Sequence, residues 1–415
     1  MNKQKLFVTC CLSLVTTSMS FALRGDVAND MAAAFHISNE QLGLVFSPAF
    51  WAFAVAIVAG GALVDFVGMR TLHLLSAGGY IGGVLMVTLA PRPTAPVGSL
   101  FDNTGTTMLY LGFLIMGLSQ GLVEAVINPL TVSVYPEEKT RRLVMLHAWW
   151  PGGQIIGGLL AVALTSLLHA SWQTKLSLIA VPAAIYLFMA LSARYPQTER
   201  AASNVSTAEM WRQVARPLFI LMFFCNGMAA AVELGPDQWF PKVMGDLIPQ
   251  LLQGQGVIFL IYTAGLMFLI RTFGSGVSQK SPLGTLIVCS VLTFIGLFWL
   301  GGLRLGASPL VAFMAATLFG IGKTYFSPTM MGVLSEQLPR GGALLMSIMG
   351  GAGMLSVAIA VPAMGARIDR LGAGAALQMM SWLGAILALL YGALWLYFRS
   401  RGGYKVVRLS GDGGH

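Results

Sequence analysis

Apolar residues along this chain fall in long blocks, not in the alternation of a half-buried strand. The blocks lie at about 6–24, 41–64, 71–90, 107–134, 144–168, 174–193, 217–235, 251–272, 282–302, 308–334, 341–363 and 374–398. Each is close to the ~20 residues that cross ~30 Å of hydrocarbon as a helix. The pattern predicts an all-α integral membrane protein with twelve transmembrane helices. Polar residues gather between the blocks. The most polar internal stretch, "ARYPQTERAASNVSTAEMWRQVARP", predicts a cytoplasmic linker at 194–216 between two six-helix bundles, 1–193 and 217–415 with its short tail.

The two halves can be laid on one another. "NPLTVSVYPEEKTRR" and "SPTMMGVLSEQLPRG" align without gaps at an offset of 199, pairing Pro129 with Pro328, Glu137 with Glu336 and Arg141 with Arg340. Further upstream the offset becomes about 213, where "GALVDFVGMRTL" meets the degraded copy "GSGVSQKSPLGTL". The longer outer loop around "PRPTAPVGSLFDNTGT" accounts for the difference. Duplicated halves are a transporter architecture, with a substrate site expected near the midplane between them.

Composition agrees: 56% of residues are hydrophobic and 10% charged, and the mean hydropathy of +0.75 lies outside the range of soluble proteins. The 49 glycines and 18 prolines, many inside the blocks, would weaken soluble helices but suit close approach and kinks in a membrane bundle. A net charge of +9 raises nucleic-acid binding, but the basic residues sit in short loops and form no stripe. With both termini cytoplasmic, 17 of the 25 Lys and Arg fall in inner segments and seven in outer ones, which orients the chain. The start, "MNKQKLFVTCCLSLVTTSMSFA", has the features of a signal peptide, but its removal would leave eleven helices and break the symmetry. Cys10, Cys11, Cys225 and Cys289 have no metal-like spacing and read as packing residues. The sequon at Asn204 falls in the inner linker and reads as chance.

One basic residue, Lys323, lies deep within a block, as does Glu124 in "GLVEAVINPL". A charge at that depth costs several kcal/mol, so it should face a cavity or a partner. Asn128 shares the helix face of Glu124, and Pro129 frees a backbone carbonyl just beyond. The offset of 199 makes Lys323 the counterpart of Glu124. The two could form a central ion pair, or each could hold part of a substrate or its coupling ion. Alternatively Glu124 serves only to tie helices together.

"HAWWPGGQ" offers hydrogen-bonding groups in His147 and Gln154 and flat faces in Trp149 and Trp150. Adjacent helical residues point about 100° apart, so the tryptophans cannot face one ligand equally; the pair also fits an interfacial anchor. The first helix is expected to end at "SFALRGDVAND" and the seventh at "AAAVELGPDQWF", where breaks near glycine could expose backbone groups. Glu233, Gln238 and Trp239 are candidate substrate ligands there, and Asn226 a weaker one. An ordinary polar helix end is the alternative.

"GALVDFVGMR" resembles the loop between the second and third helices of the major facilitator superfamily. Its Gly61, Asp65, Gly68 and Arg70 then correspond to a latch between the halves on the cytoplasmic side, with Asp65 expected near the start of the eleventh helix. "GLVEAVINPL" followed by "RLVMLHAWWPGGQIIGG" is similar to the fourth and fifth helices of the fucose–proton symporter family. The resemblance implies a proton-coupling role for Glu124, and for Asp26 as the match of a first-helix aspartate. It also implies that His147 and Trp150 stand where that family offers glutamine and asparagine to the sugar.

No nucleotide-binding loop, metal cluster or nucleophile triad is legible, so an enzyme or ATP-driven pump is not expected, and no cofactor is implied. The expectation is a secondary transporter of the inner (plasma) membrane that imports a monosaccharide or sugar derivative with a proton, sodium being the alternative ion. Lys323 leaves room for an acidic sugar. The substrate ligands would be Asn128, His147, Trp150, Gln154, Glu233, Gln238, Trp239 and Lys323. Export of amphipathic compounds is the alternative, suggested by 23 methionines, and a transporter-fold receptor a more distant one. The expected partners are a small-molecule substrate and the lipid bilayer, without nucleic acid, with the chain acting as a monomer.

Overall fold

A computed structural model describes residues 2–135, 142, 145–196, 212–249, 255–274, 277, 281–338 and 342–405. Among them, eleven helices are long and apolar enough to cross a membrane, and a shorter apolar one, Val257–Phe273, completes the set. The first half comprises α1 (Lys3–Asp26), α2 (Ala28–Phe35), α3 (Asn39–Phe46), α4 (Pro48–Val67), α5 (Met69–Thr88), α6 (Thr104–Val134), α7 (Trp149–Leu168), α8 (Trp172–Ser177) and α9 (Ala180–Leu191). The second comprises α10 (Pro217–Leu247), α11 (Val257–Phe273), α12 (Pro282–Gly301), α13 (Pro309–Lys323), α14 (Phe326–Gln337), α15 (Gly342–Leu371) and α16 (Ala373–Ser400). Much of the expected linker lies outside the described residues.

Several crossings are built from two helices in series. α3 and α4 meet at Ser47, whose backbone stays in the right-handed helical region, so they form one nearly continuous crossing. The tenth crossing, expected as one helix, is broken: α13 stops at Lys323 and α14 restarts after Tyr325. The seventh differs in the opposite sense. The expected break near Gly235 does not occur, and α10 continues through Pro236 and Pro241 to Leu247. Neighbouring helices pack on all sides there, as the burial of nearly every residue from Ala229 to Gly245 records, and such packing tolerates proline inside a membrane helix. All four cysteines are buried and free.

Large apolar side chains point outward on the crossings, among them Leu89, Phe188, Ile359 and Leu389, which suits a lipid environment. Polar residues instead turn inward, and many Ser and Thr hydroxyls return a hydrogen bond to the preceding helical turn, as Thr16 does to Leu12 O at 2.8 Å. An even number of crossings puts both termini on one face, called here the terminal face.

The two halves are joined toward the opposite face. Asp369 at the end of α15 accepts from the Asn39 and Glu40 backbone N–H at 3.2 and 2.7 Å, and from the Asn39 side chain at 2.6 Å. A carboxylate thus caps the positive N-terminus of α3 from the other half. The same helices cross closely: a Cβ on Gly43 would stand 2.5 Å from Pro362 Cα. Gln255 donates to Ser166 at 2.8 Å, linking α7 to the turn before α11, and Lys242 donates to Asn29. The hydrogen bonds between halves among the described residues cluster on this side.

Candidate substrate and coupling site

A narrow cavity lies between the halves. The first half lines it with Thr17 and Phe21 of α1, Phe50 and Phe53 of α4, Gln120 of α6 and Trp150 of α7; the second adds Leu234 of α10 and Met354 of α15. Aromatic rings thus dominate one wall, and Phe21 and Trp150 stand 6.5 Å apart, tilted. Of the tryptophan pair, Trp150 lines the cavity, while Trp149 is 44% exposed.

Three sequence candidates meet between α6 and α7. The Asn128 amide donates to Glu124 Oε2 at 3.2 Å, one turn back on the same helix, and to the Glu124 carbonyl at 3.3 Å. His147 Nε2 lies 2.9 Å from Asn128 Oδ1. His147 is exposed, whereas Glu124 and Asn128 are half-buried. A carboxylate, an amide and an imidazole therefore form a hydrogen-bonded file leading from the interior toward the terminal side, with an acid-base group at each end. Gln154, one turn beyond Trp150, is buried, and neither end of its amide has a partner.

Glu124 and Lys323 do not pair. The Lys323 ammonium, wholly buried, donates to both oxygens of Asp237 at 2.5 and 2.6 Å and to Thr263 Oγ1 at 3.2 Å. Those three bonds use all three of its donors. Lys323 ends α13, and Arg271 Nε donates to Thr324 O at 3.0 Å, satisfying a carbonyl at the helix break. Glu233 is buried one turn before Asp237 on the same helix. Sequence reasoning did not single out Asp237. The available signal was the i to i+4 spacing of Glu233 and Asp237 on one apolar helix, together with a lone lysine within another.

Other candidates stand elsewhere. Trp239 is fully buried and donates to Val361 O at 3.0 Å, pinning α10 to α15 rather than facing the cavity. Gln238 accepts from Arg24 Nε at 2.7 Å across the halves. Asn226 donates to Met349 O at 2.7 Å. Asp26 is held by Lys175 at 2.8 Å at the far end of α1, with Thr165 as the second ligand of the ammonium at 3.1 Å; the pair belongs to one half and lies away from Glu124. Of the latch, Gly61 lies within α4, and Gly68 takes φ +87°, ψ 141° between α4 and α5, a conformation in which a side chain would clash. Arg70 donates to Leu191 O at 2.5 Å. The side chains of Asp65 and of 341–344 lie outside the described residues. Among the described residues, no group of three or more metal-ligating side chains occurs.

The family model described as Major Facilitator Superfamily matches residues 6–340. The chain belongs to that superfamily. Among solved structures, the D-xylose-proton symporter superposes with a TM-score of 0.76 at 14% identity, over 93% of this chain and 96% of that one. The xylose transporter XylE from E. coli, in a partially occluded inward open conformation, gives 0.75 at 14% identity over 94% and 97%. A mutant of the nucleoside transporter NupG gives 0.73 at 13% identity over 95% and 99%. These likenesses establish the fold, and the proteins that share it are transporters. In sequence, the human proton myo-inositol cotransporter is 29% identical over 172 residues, 39% of this chain and 24% of that protein. The match thus spans about a quarter of that relative's length.

Proposed function

We propose that this major facilitator protein imports a monosaccharide or sugar derivative together with a proton, and that Glu124 carries the proton. The observation that carries the reading is the file Glu124–Asn128–His147 beside an aromatic-walled cavity. Glu124 is half-buried, with an amide neighbour rather than a cation among the described residues. Aromatic faces such as those of Trp150 and Phe21 suit the C–H surfaces of a sugar.

On this reading the terminal face is cytoplasmic, as the distribution of Lys and Arg suggests, and the membrane is the inner (plasma) membrane. The seal made by Asp369, Gln255 and Arg24 then closes the outside, so the chain is described in an inward-facing state. Each chain carries its own cavity between its halves, 1–193 and 217–415, and works as a monomer. The local likeness to fucose–proton symporters, the fold shared with a D-xylose-proton symporter and the partial match to a proton myo-inositol cotransporter support the substrate and ion classes.

Counterflow in proteoliposomes tests the proposal. Vesicles loaded with an unlabelled sugar should take up the same radiolabelled sugar transiently, and net uptake should acidify the lumen. A panel of pentoses, hexoses, inositol and sugar acids that produces no counterflow would overturn it.

A further inference from the structure

Among the described residues, three cationic side chains are almost wholly buried: Arg24, Lys175 and Lys323. Lys175 meets Asp26 at 2.8 Å and Lys323 meets Asp237 at 2.5 Å. Arg24 meets no carboxylate among these residues. Its Nε donates to Gln238 Oε1 at 2.7 Å, but Nη1 and Nη2 have no partner, and neither does Gln238 Nε2. The bond between the two side chains holds these three unsatisfied donors side by side.

Phenylalanine rings surround the guanidinium, with its central carbon 4.6 Å from the Phe50 centroid, 5.4 Å from Phe21 and 5.8 Å from Phe46. Cation–π attraction offsets part of the cost of burying the charge. It leaves the terminal N–H groups without acceptors, which in a dry interior is unfavourable. The Nε bond to Gln238 ties the halves together, but it gives no structural reason for leaving the two terminal nitrogens buried and unpaired. The position of Arg24 suggests a reason of another kind. Arg24 lies one turn beyond Phe21 on α1, and both Phe21 and Phe50 line the cavity. Neither Arg24 nor Gln238 lines that cavity; Gln238 belongs to the other half, so the donors stand where the halves meet, one turn of α1 beyond Phe21.

Three donors without an acceptor select a ligand group that only accepts, and the two terminal nitrogens of a guanidinium match the two oxygens of a carboxylate. We infer that Arg24 and Gln238 form an anion subsite for the carboxylate of a sugar acid, a uronate or an aldonate. A single negative charge neutralises the unpaired cation. Because the subsite spans α1 and α10, a bound carboxylate draws the halves together on the sealed side, and substrate binding favours that closure. Lys323, saturated by Asp237 and Thr263, takes no part. The inference rests on the reading of the cavity as a sugar site and narrows its substrate class.

Equilibrium binding to the purified full-length protein tests it, with D-galacturonate, D-glucuronate, D-gluconate, the neutral hexoses D-galactose and D-glucose, and D-galactose 6-phosphate as probes. A hydrogen-bonded charge pair contributes about 1.5–3 kcal/mol, so a sugar acid should bind at least about tenfold tighter than its neutral hexose. Arg24→Gln should erase that preference, and Arg24→Lys should lose most of it, since an ammonium lacks the fork. The wild-type comparison decides even if the variants misfold. Neutral hexoses binding as tightly as the acids, with or without ordered water on Arg24, would overturn the inference and leave the sugar reading intact. Tightest binding of the phosphate would overturn the carboxylate assignment. Failure of every probe to bind would overturn both.

Discussion

Removing the Lys323 ammonium leaves a carboxylate stranded in a dry interior. Lys323 is 0% and Asp237 1% exposed, and the ammonium supplies both short bonds to the carboxylate. Breaking such a pair from one side costs about 3–5 kcal/mol, whereas replacing both members with apolar groups of similar volume is often neutral. Lys323→Met should therefore destabilise the purified protein by about 3–5 kcal/mol, and Asp237→Leu by a similar amount. Lys323→Met with Asp237→Leu should recover most of the loss. The assay is reversible denaturation of the four proteins in one detergent, read as a double-mutant cycle. Substrate binding to the double variant supplies the second reading: it should persist, because in this account Lys323 has no donor left for a ligand. Additive losses, or a stable double variant that no longer binds substrate, would refute the reasoning and return Lys323 to the substrate site.

Two further outcomes follow from contacts made by α15. Asp369→Asn removes a charge from the N-terminus of α3, worth about 0.3–1 kcal/mol and more when several backbone N–H groups are bonded; spin labels at Leu44 and Leu371, both exposed, should report a larger fraction of long distances, and an unchanged distribution would contradict the latch. Trp239→Phe deletes one buried hydrogen bond to Val361 O and should cost about 1 kcal/mol of stability without altering substrate affinity; a selective loss of affinity would place Trp239 in the site after all.

The hydropathy blocks made the crossings legible because crossing lipid imposes a length and an apolar character on each. The polar residues within blocks were legible as anomalies for the same reason, and Glu124, Asn128 and His147, read from neighbouring helices, meet through hydrogen bonds. Partner choice was not legible. Internal symmetry made Glu124 and Lys323 counterparts, yet equivalent depth in two halves does not bring side chains into contact, and Asp237 was nearer in space through the uninterrupted α10. The course of α10 was itself obscured, since Gly235, Pro236 and Pro241 signal a helix end in water but not inside a packed bundle. Arg24 was counted as an outer-loop charge because its block ends there; only its burial among Phe21, Phe46 and Phe50 shows that the charge lies within the fold.

Coupling is tested most directly at Glu124. Glutamine there keeps shape and hydrogen-bonding capacity to Asn128 but cannot titrate. In proteoliposomes holding an inward-directed proton gradient, the unaltered protein should accumulate its sugar substrate above the external concentration. Glu124→Gln should exchange labelled for unlabelled substrate at a comparable rate yet show no accumulation when the gradient is imposed. Full gradient-driven accumulation by Glu124→Gln would contradict the account.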